Sequence, residues 1–449
     1  GRGIKEREAF QEVDYKAFYG SIAKWVVEID DAARVPELVT RAFAVATSGR
    51  PGPVVVSLPE DMLTDEVEAP APLPHVPVET RPGEPEMQAL HALLETAERP
   101  IAILGGTRWG DAAVADIREA AERWALPVGC SFRRQKLFDH LHPCYAGDIG
   151  IGANPQLAAY IRQADLVLLV GGRFGEMPSS DYTLLKSPYP DQKLVHVHPD
   201  PQELGRVYRP TVAINATPAA FAAALRATGP KATPSWANRT EELHQSFLDW
   251  STPPQTGPGR VLMGPIMAHL ETVLPQDAVI CNGAGNFATW MHRFHRFRRN
   301  NTQAAPTSGS MGYGLPAGVA AKHLFREREV IVWAGDGDFM MHGQEFATAV
   351  QYDLPIVVVI LNNGIYGTIR MHQERDYPGR VCGTMLKNPD FAALARAYGG
   401  HGETVEETAE FAAAFERARS SGKPAIVEVR LDPEAITPTR TLTDIREGR

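Results

Sequence analysis

The stretch 330–363 reads VIVWAGDGDFMMHGQEFATAVQYDLPIVVVILNN and decides the fold. It holds two apolar runs, Val330–Ala334 and Ile356–Leu361, rich in Val and Ile. The first ends at the turn Gly335-Asp336-Gly337 and the second at Asn362-Asn363. Between the turns lie 24 residues, Asp338 to Leu361. That length predicts a turn, a helix over about Gly343–Tyr352 and the next strand, which is one βαβ unit. Neighbouring parallel strands would set Asp336 and Asn363 side by side at one sheet edge. Ligands of such sheets bind beyond the carboxyl ends of the strands.

Each turn alone is an ordinary chain reversal. Paired at this spacing they make a candidate site. A hard divalent cation such as Mg²⁺ takes oxygen ligands and completes its shell with phosphate oxygens and water. One carboxylate, one amide oxygen and a nearby carbonyl suit it, and the flanking glycines let backbone N–H groups approach a diphosphate.

Outward from this unit the alternation of strand and helix continues. Ala278–Cys281 is a further C-terminal strand. In the middle of the chain Pro100–Leu104, Asp165–Val170 and Lys193–His198 read as strands. Asp111–Ala125 places Val114, Ile117, Ala121 and Trp124 at helical spacing. The fold class is therefore α/β, with parallel doubly wound sheets. Proline-rich stretches divide the chain. Residues 1–66 form a short N-terminal piece, and 67–85 a linker with Pro70, Pro72, Pro74, Pro77 and Pro82. Residues 86–228 form a central domain and 229–256 a second linker with a short polar helix near Glu241–Trp250. Residues 257–431 form the C-terminal domain, and 432–449 a tail.

At 449 residues, 44% hydrophobic and 22% charged, the chain has ample length for several cores and is a poor candidate for disorder. A net charge of −9 argues against nucleic acid as a partner. The aromatic-laced basic run His292–Arg299 is read as a surface or subunit contact. No apolar run approaches the ~20 residues of a membrane span. Four dispersed cysteines, with no CxxC, and the lack of a signal peptide point to a reducing, cytoplasmic setting. His196 and His198 alternate on a strand and read as core or rim residues.

The GDG and NN turns at this separation resemble the thiamine diphosphate motif. Other segments agree. Ser308–Ala317 (SGSMGYGLPA) resembles the stretch of acetolactate synthases that cradles the aminopyrimidine. Ala9-Phe10-Gln11-Glu12 and Ser48–Val54 (SGRPGPV) resemble signatures of their pyrimidine-binding domain. The resemblance covers essentially the whole chain. It implies a thiamine diphosphate-binding fold with a Rossmann-like central domain, and residues 1–66 as the C-terminal part of a pyrimidine-binding domain.

The resemblance also implies site residues. Asp336 and Asn363, with the carbonyl of Ile365, match the Mg²⁺ ligands. The backbone of Gly337, Asp338, Tyr366 and Gly367, beside Gly335, matches the diphosphate contacts, and Ala284-Gly285-Asn286 a further diphosphate loop. Gly309 matches the acceptor of the cofactor 4′-amino group, and Met311 the side chain that bends the cofactor so that this nitrogen reaches the reacting C2–H. Phe10 and Gln11 match a pair near that carbon, and Lys24 a lysine of the substrate channel. The activity implied is decarboxylation of a pyruvate-like 2-oxo acid with carboligation to a second carbonyl. A non-ligating decarboxylase or related lyase, and a non-catalytic thiamine diphosphate-binding subunit, are the alternatives.

Departures from the synthase pattern fall at Asn286-Phe287, at Phe174-Gly175-Glu176, and at Thr368 and His372, where the synthases shape the acceptor pocket. Arg173 matches an arginine near the synthases' FAD; the central domain is read as holding FAD, another nucleotide or none. A homodimer or homotetramer with the site between subunits is implied, with no nucleic acid or membrane partner. The family's catalytic glutamate falls before Gly1, so the chain is read as N-terminally truncated and inactive by itself.

Overall fold

The structure is a computed structural model describing residues 1–449. In the N-terminal piece β1 (Trp25–Glu28) and β2 (Val54–Ser57) form a two-stranded sheet. The central domain holds β3 (Pro100–Leu104), β4 (Val128–Cys130), β5 (Tyr145–Asp148), β6 (Leu166–Val170), β7 (Lys193–Val197) and β8 (Val212–Ile214). Their order is β5-β4-β3-β6-β7-β8. The C-terminal domain holds β9 (Val279–Asn282), β10 (Gln303–Ala304), β11 (Val330–Gly335), β12 (Val357–Asn362), β13 (His401–Val405) and β14 (Ala425–Arg430), in the order β10-β9-β11-β12-β14-β13. All pairings are parallel.

Strands in the middle of parallel sheets are covered on both faces, so they read as unbroken apolar runs. Successive side chains then feed two different cores. In β3, Ala102 and Leu104 join one cluster and Ile101 and Ile103 the other. In β12, Val357, Val359 and Leu361 face one core, and Val358 and Ile360 the opposite one. Burial of each such side chain contributes about 1.5–3 kcal/mol. The helix Asp111–Trp124 buries Ala113, Ile117, Ala120, Ala121 and Trp124, and Ala125 ends it in the left-handed region at φ 45°.

Two features differ from the sequence reading. The helix after β11 begins at Asp336 itself, spans Asp336–His342, and is followed by a 3-10 turn and the helix Phe346–Gln351. Gly335, extended at φ −82° and ψ 162°, lets the strand pass directly into the helix without an intervening loop. The stretch 229–256 contains the longer helix Ala237–Trp250. Trp236 and Phe247 pack into one central core and Leu243 into the other, so this segment is part of the central packing. The N-terminal piece has a core of only Ile29, Ala32, Leu38 and Met62, and it leaves Phe18 and Ile22 exposed. No helix is long and apolar enough to cross a membrane.

Candidate functional site

The site begins where β11 and β12 end. Gly335 lies in register with Leu361, so the GDG and NN turns leave the sheet at one edge, as the spacing requires. Asp336 is 3% exposed. Its Oδ1 accepts from the Gly337 N–H at 2.9 Å, and its Oδ2 from the Gly364 N–H at 2.9 Å. The second bond ties the two turns together. Asn363 Oδ1 accepts from the Ile365 N–H at 3.2 Å, which curls the NN turn back on itself. The Ile365 carbonyl accepts no backbone hydrogen bond.

A third chain segment holds this pair. Asn388 Nδ2 donates to Asp336 Oδ2 at 2.7 Å and to Asn362 Oδ1 at 2.8 Å. Asn362 Nδ2 in turn donates to Glu428 Oε1 at 2.7 Å, on the adjacent strand β14. Asn362 is thus a structural brace, whereas Asn363 faces the cavity. Burial pushes the Asp336 carboxyl up from the ordinary carboxylate range, against the opposing pull of Asn388, Gly337 and Gly364.

Asp338 is also buried, and its side chain works apart from its backbone. Its Oδ1 accepts from the Ala284 N–H at 3.0 Å and the Gly312 N–H at 2.9 Å. One carboxylate therefore pins the Ala284–Asn286 turn and the Ser308–Ala317 segment to the GDG turn. Burial pushes it up to about 6. Gly337 has a steric reason to be glycine, since a Cβ there would lie 2.6 Å from the Tyr366 ring. Asn286 is tied to the opposite helix. Its Oδ1 accepts from Thr368 Oγ1 at 3.0 Å, its N–H donates to the same oxygen at 3.0 Å, and its Nδ2 meets Met371 Sδ at 3.3 Å.

These segments wall a cavity of about 1070 Å³. The positions expected to contact a cofactor all line it: Ala284–Asn286, Gly309 and Met311, Gly335, Gly337 and Asp338, and Tyr366–Gly367. Asp336 and Ile365 sit immediately behind that surface. Thr368, Ile369 and His372 line it from the helix Gly367–Asp376. Phe10 and Gln11 are not brought to it. Phe10 is 94% exposed, and Gln11 is exposed with φ 64°. Lys24 does not reach the cavity either, because its Nζ donates to the carbonyls of Ser48 at 2.7 Å and Arg50 at 3.1 Å.

Sequence reasoning missed three contributions: the Asp338 side chain, Asn388, and Arg133 with Arg134. These two arginines stand on the central-domain wall of the cavity beside Gly171 and Arg173, which the sequence had singled out. A polar residue that acts across 52 positions, as Asn388 does on Asp336, leaves no local signal. The remaining singled-out groups have structural partners. His196 Nε2 lies 2.9 Å from the Gly172 carbonyl, and burial lowers that imidazole to about 4. In the basic run, Arg293 stacks on Trp250 and Arg298 pairs with Asp139 at 2.6 Å, which joins the C-terminal domain to its neighbours.

The donor set fits Mg²⁺. No trio of His, Cys, Asp or Glu side chains converges anywhere, but the carboxylate of Asp336, the amide oxygen of Asn363 and the unpartnered carbonyl of Ile365 sit on turns tied together by the Gly364 bond. These are hard oxygen donors. The glycine-lined floor fits a diphosphate.

Residues 283–429 match the family model "Thiamine pyrophosphate enzyme, C-terminal TPP binding domain". Residues 87–225 match "Thiamine pyrophosphate enzyme, central domain". The chain is 27% identical to a probable acetolactate synthase large subunit of Methanocaldococcus jannaschii, over 96% of this chain and 75% of that protein. It is 28% identical to the acetolactate synthase isozyme 2 large subunit of Escherichia coli, over 95% and 76%. It is 27% identical to the sulfoacetaldehyde acetyltransferase of Alcaligenes xylosoxydans xylosoxydans, over 96% and 77%. Two domain models of one family, matching residues 87–225 and 283–429, place this chain among the thiamine pyrophosphate enzymes, with acetolactate synthase large subunits among its relatives.

Proposed function

We propose that this chain binds thiamine diphosphate with Mg²⁺ and takes part in decarboxylating a 2-oxo acid, with transfer of the remaining carbons to a second carbonyl. The observation that carries the reading is the pairing of Asp336 with the Asn363 turn through the Gly364 N–H, beside the large cavity that Gly335, Gly337 and Asn363 line. Asp336, Asn363 and the Ile365 carbonyl would hold the metal. The backbone of Gly337, Asp338, Tyr366 and Gly367 would meet the diphosphate. When bound, thiamine diphosphate supplies the carbon nucleophile and the electron sink for decarboxylation. The protein's part is orientation and exclusion of water. The Gly309 carbonyl would fix the aminopyrimidine, and Met311, half-buried on the cavity wall, would set its angle to the thiazolium. Asp338 holds both loops in that register.

Phe10 and Gln11, remote from this chain's own cavity, would serve the site of a second subunit. The relatives' printed activities frame the alternatives: acetolactate synthase on one side and sulfoacetaldehyde acetyltransferase on the other. Thr368 and His372, at the acceptor side, favour an acceptor pocket distinct from that of the synthases. FAD would occupy the crevice past Gly171 and Gly172 toward Arg173, which is continuous with the cavity. Visible flavin absorbance of the purified protein tests that. For the reaction, the protein is incubated with pyruvate, thiamine diphosphate and Mg²⁺. Acetolactate formation supports carboligation, aldehyde as sole product supports the non-ligating alternative, and no pyruvate consumption removes pyruvate as substrate.

A further inference from the structure

Two arginines in the turn after β4 line the cavity on its central-domain side. Arg133 is 5% exposed and lines the cavity. Its one hydrogen-bond acceptor is the neutral carbonyl of Pro306, and its Nε has no partner. Asp338 attracts it through space, yet the two form no ion pair, and that carboxylate is engaged by Ala284 and Gly312. Arg134 is half-buried, lines the same cavity, and its side chain has neither a hydrogen-bond acceptor nor an ion-pair partner. Burial lowers both guanidiniums, Arg133 to about 10.

The other two arginines that line the cavity, Arg50 and Arg173, each have an ion-pair partner, since they converge with Arg206 on buried Glu203. A guanidinium presents five N–H donors and a fixed charge, and removing it from water without a counter-anion is costly. Two adjacent residues of this kind on one cavity wall imply an anionic ligand. Arg133 also fixes where that ligand sits. Pro306 lies three residues before Gly309, so the guanidinium flanks the segment read as the aminopyrimidine cradle.

We propose that Arg133 and Arg134 form a receptor for a second anionic group on the substrate, so that the preferred substrate is a small 2-oxo acid bearing a distal carboxylate, sulfonate or phosphonate. This rests on the proposed cofactor reading for the reacting carbonyl, but the receptor is testable without turnover. The full chain, with and without thiamine diphosphate and Mg²⁺, is titrated calorimetrically with acetate, malonate, sulfoacetate and phosphonoacetate.

At least one dianion should bind about tenfold or more tightly than acetate, the scale of one charge-assisted contact. Which dianion wins identifies the distal group. Arg134→Gln and Arg133→Gln should each reduce that preference to about threefold or less, with thiamine diphosphate affinity kept. Should Arg133→Gln fail to fold, Arg134→Gln and Arg134→Lys decide, the lysine keeping part of the preference. No preference in the natural protein, or an undiminished one in the folded variants, overturns the proposal. Loss of thiamine diphosphate affinity in Arg134→Gln also overturns it, by assigning the pair to the cofactor's diphosphate. A dianion preference in a chain that does not bind thiamine diphosphate supports the receptor and refutes the cofactor reading alone.

Discussion

Asn388 does not line the cavity but bonds Asp336, so the consequence of replacing it with Ala can be worked out. Its Nδ2 spans Asp336 Oδ2 at 2.7 Å and Asn362 Oδ1 at 2.8 Å. A hydrogen bond to an ionised carboxylate contributes about 1.5–3 kcal/mol and a neutral one about 1 kcal/mol, so roughly 2–4 kcal/mol of local order is lost. Asp336 retains the Gly337 and Gly364 N–H groups, so the carboxylate keeps its place but gains rotational freedom. Loss of an outer partner to a metal ligand lowers affinity about 10- to 100-fold. We therefore expect Asn388→Ala to weaken Mg²⁺ binding by that factor, measured by titrating Mg²⁺ at saturating thiamine diphosphate. The fold is checked in parallel by circular dichroism. A folded Asn388→Ala variant whose Mg²⁺ affinity stays within about twofold of the natural protein would refute the bracing role.

Three further outcomes follow from other parts of the molecule. Glu374, 1% exposed, takes Arg370 Nε at 2.9 Å and Arg446 Nε at 2.8 Å, which pins the C-terminal helix Leu442–Arg446 onto the helix carrying Thr368 and His372. Glu374→Ala should cost about 3–5 kcal/mol and expose residues 432–449 to limited proteolysis; an unchanged digestion pattern argues against the clamp. Burial pushes the Asp148 carboxyl up to about 7, despite a bond from Gln135 Nε2 at 3.1 Å. Because the folded state then holds a proton that the unfolded state releases near pH ~4, stability falls as pH rises from about 4 toward 7. Asp148→Asn should thus gain melting temperature over the natural protein at about pH 8 and little at about pH 4, and a pH-independent difference would contradict this. Gly106 sits at φ 71°, and a Cβ there would lie 1.8 Å from the Gly171 carbonyl. Gly106→Ala should therefore be destabilised well beyond the ~1 kcal/mol of an ordinary glycine replacement; a melting temperature like that of the natural protein would show that the two strand ends can part.

The sheets were legible because buried parallel strands announce themselves as apolar runs, and Val330–Leu361 contains two of them at one crossover length. The juxtaposition of the Asp336 and Asn363 turns was legible for the same reason, since polar residues at strand ends have one sheet edge to share. What escaped the sequence reading acts at long range. Asn388 braces Asp336 from a loop whose local pattern is that of any turn. Asp338 was read for its backbone, and only its burial shows that the carboxylate gathers two other loops. The helix start at Asp336 was missed because GDG reads as turn chemistry, although helical backbone follows Gly335 at once. Arg133 and Arg134 were invisible because they look like any surface pair until the central domain sets both on the cavity wall, Arg133 against Pro306.

The most direct measurement is calorimetric titration of thiamine diphosphate into this protein and into Asp336→Ala, each with and without Mg²⁺. The arrangement of Asp336, Asn363 and the Gly364 bond predicts saturable binding that depends on Mg²⁺ and is lost in Asp336→Ala. Binding that persists unchanged in folded Asp336→Ala, or no binding by the natural protein, would contradict it.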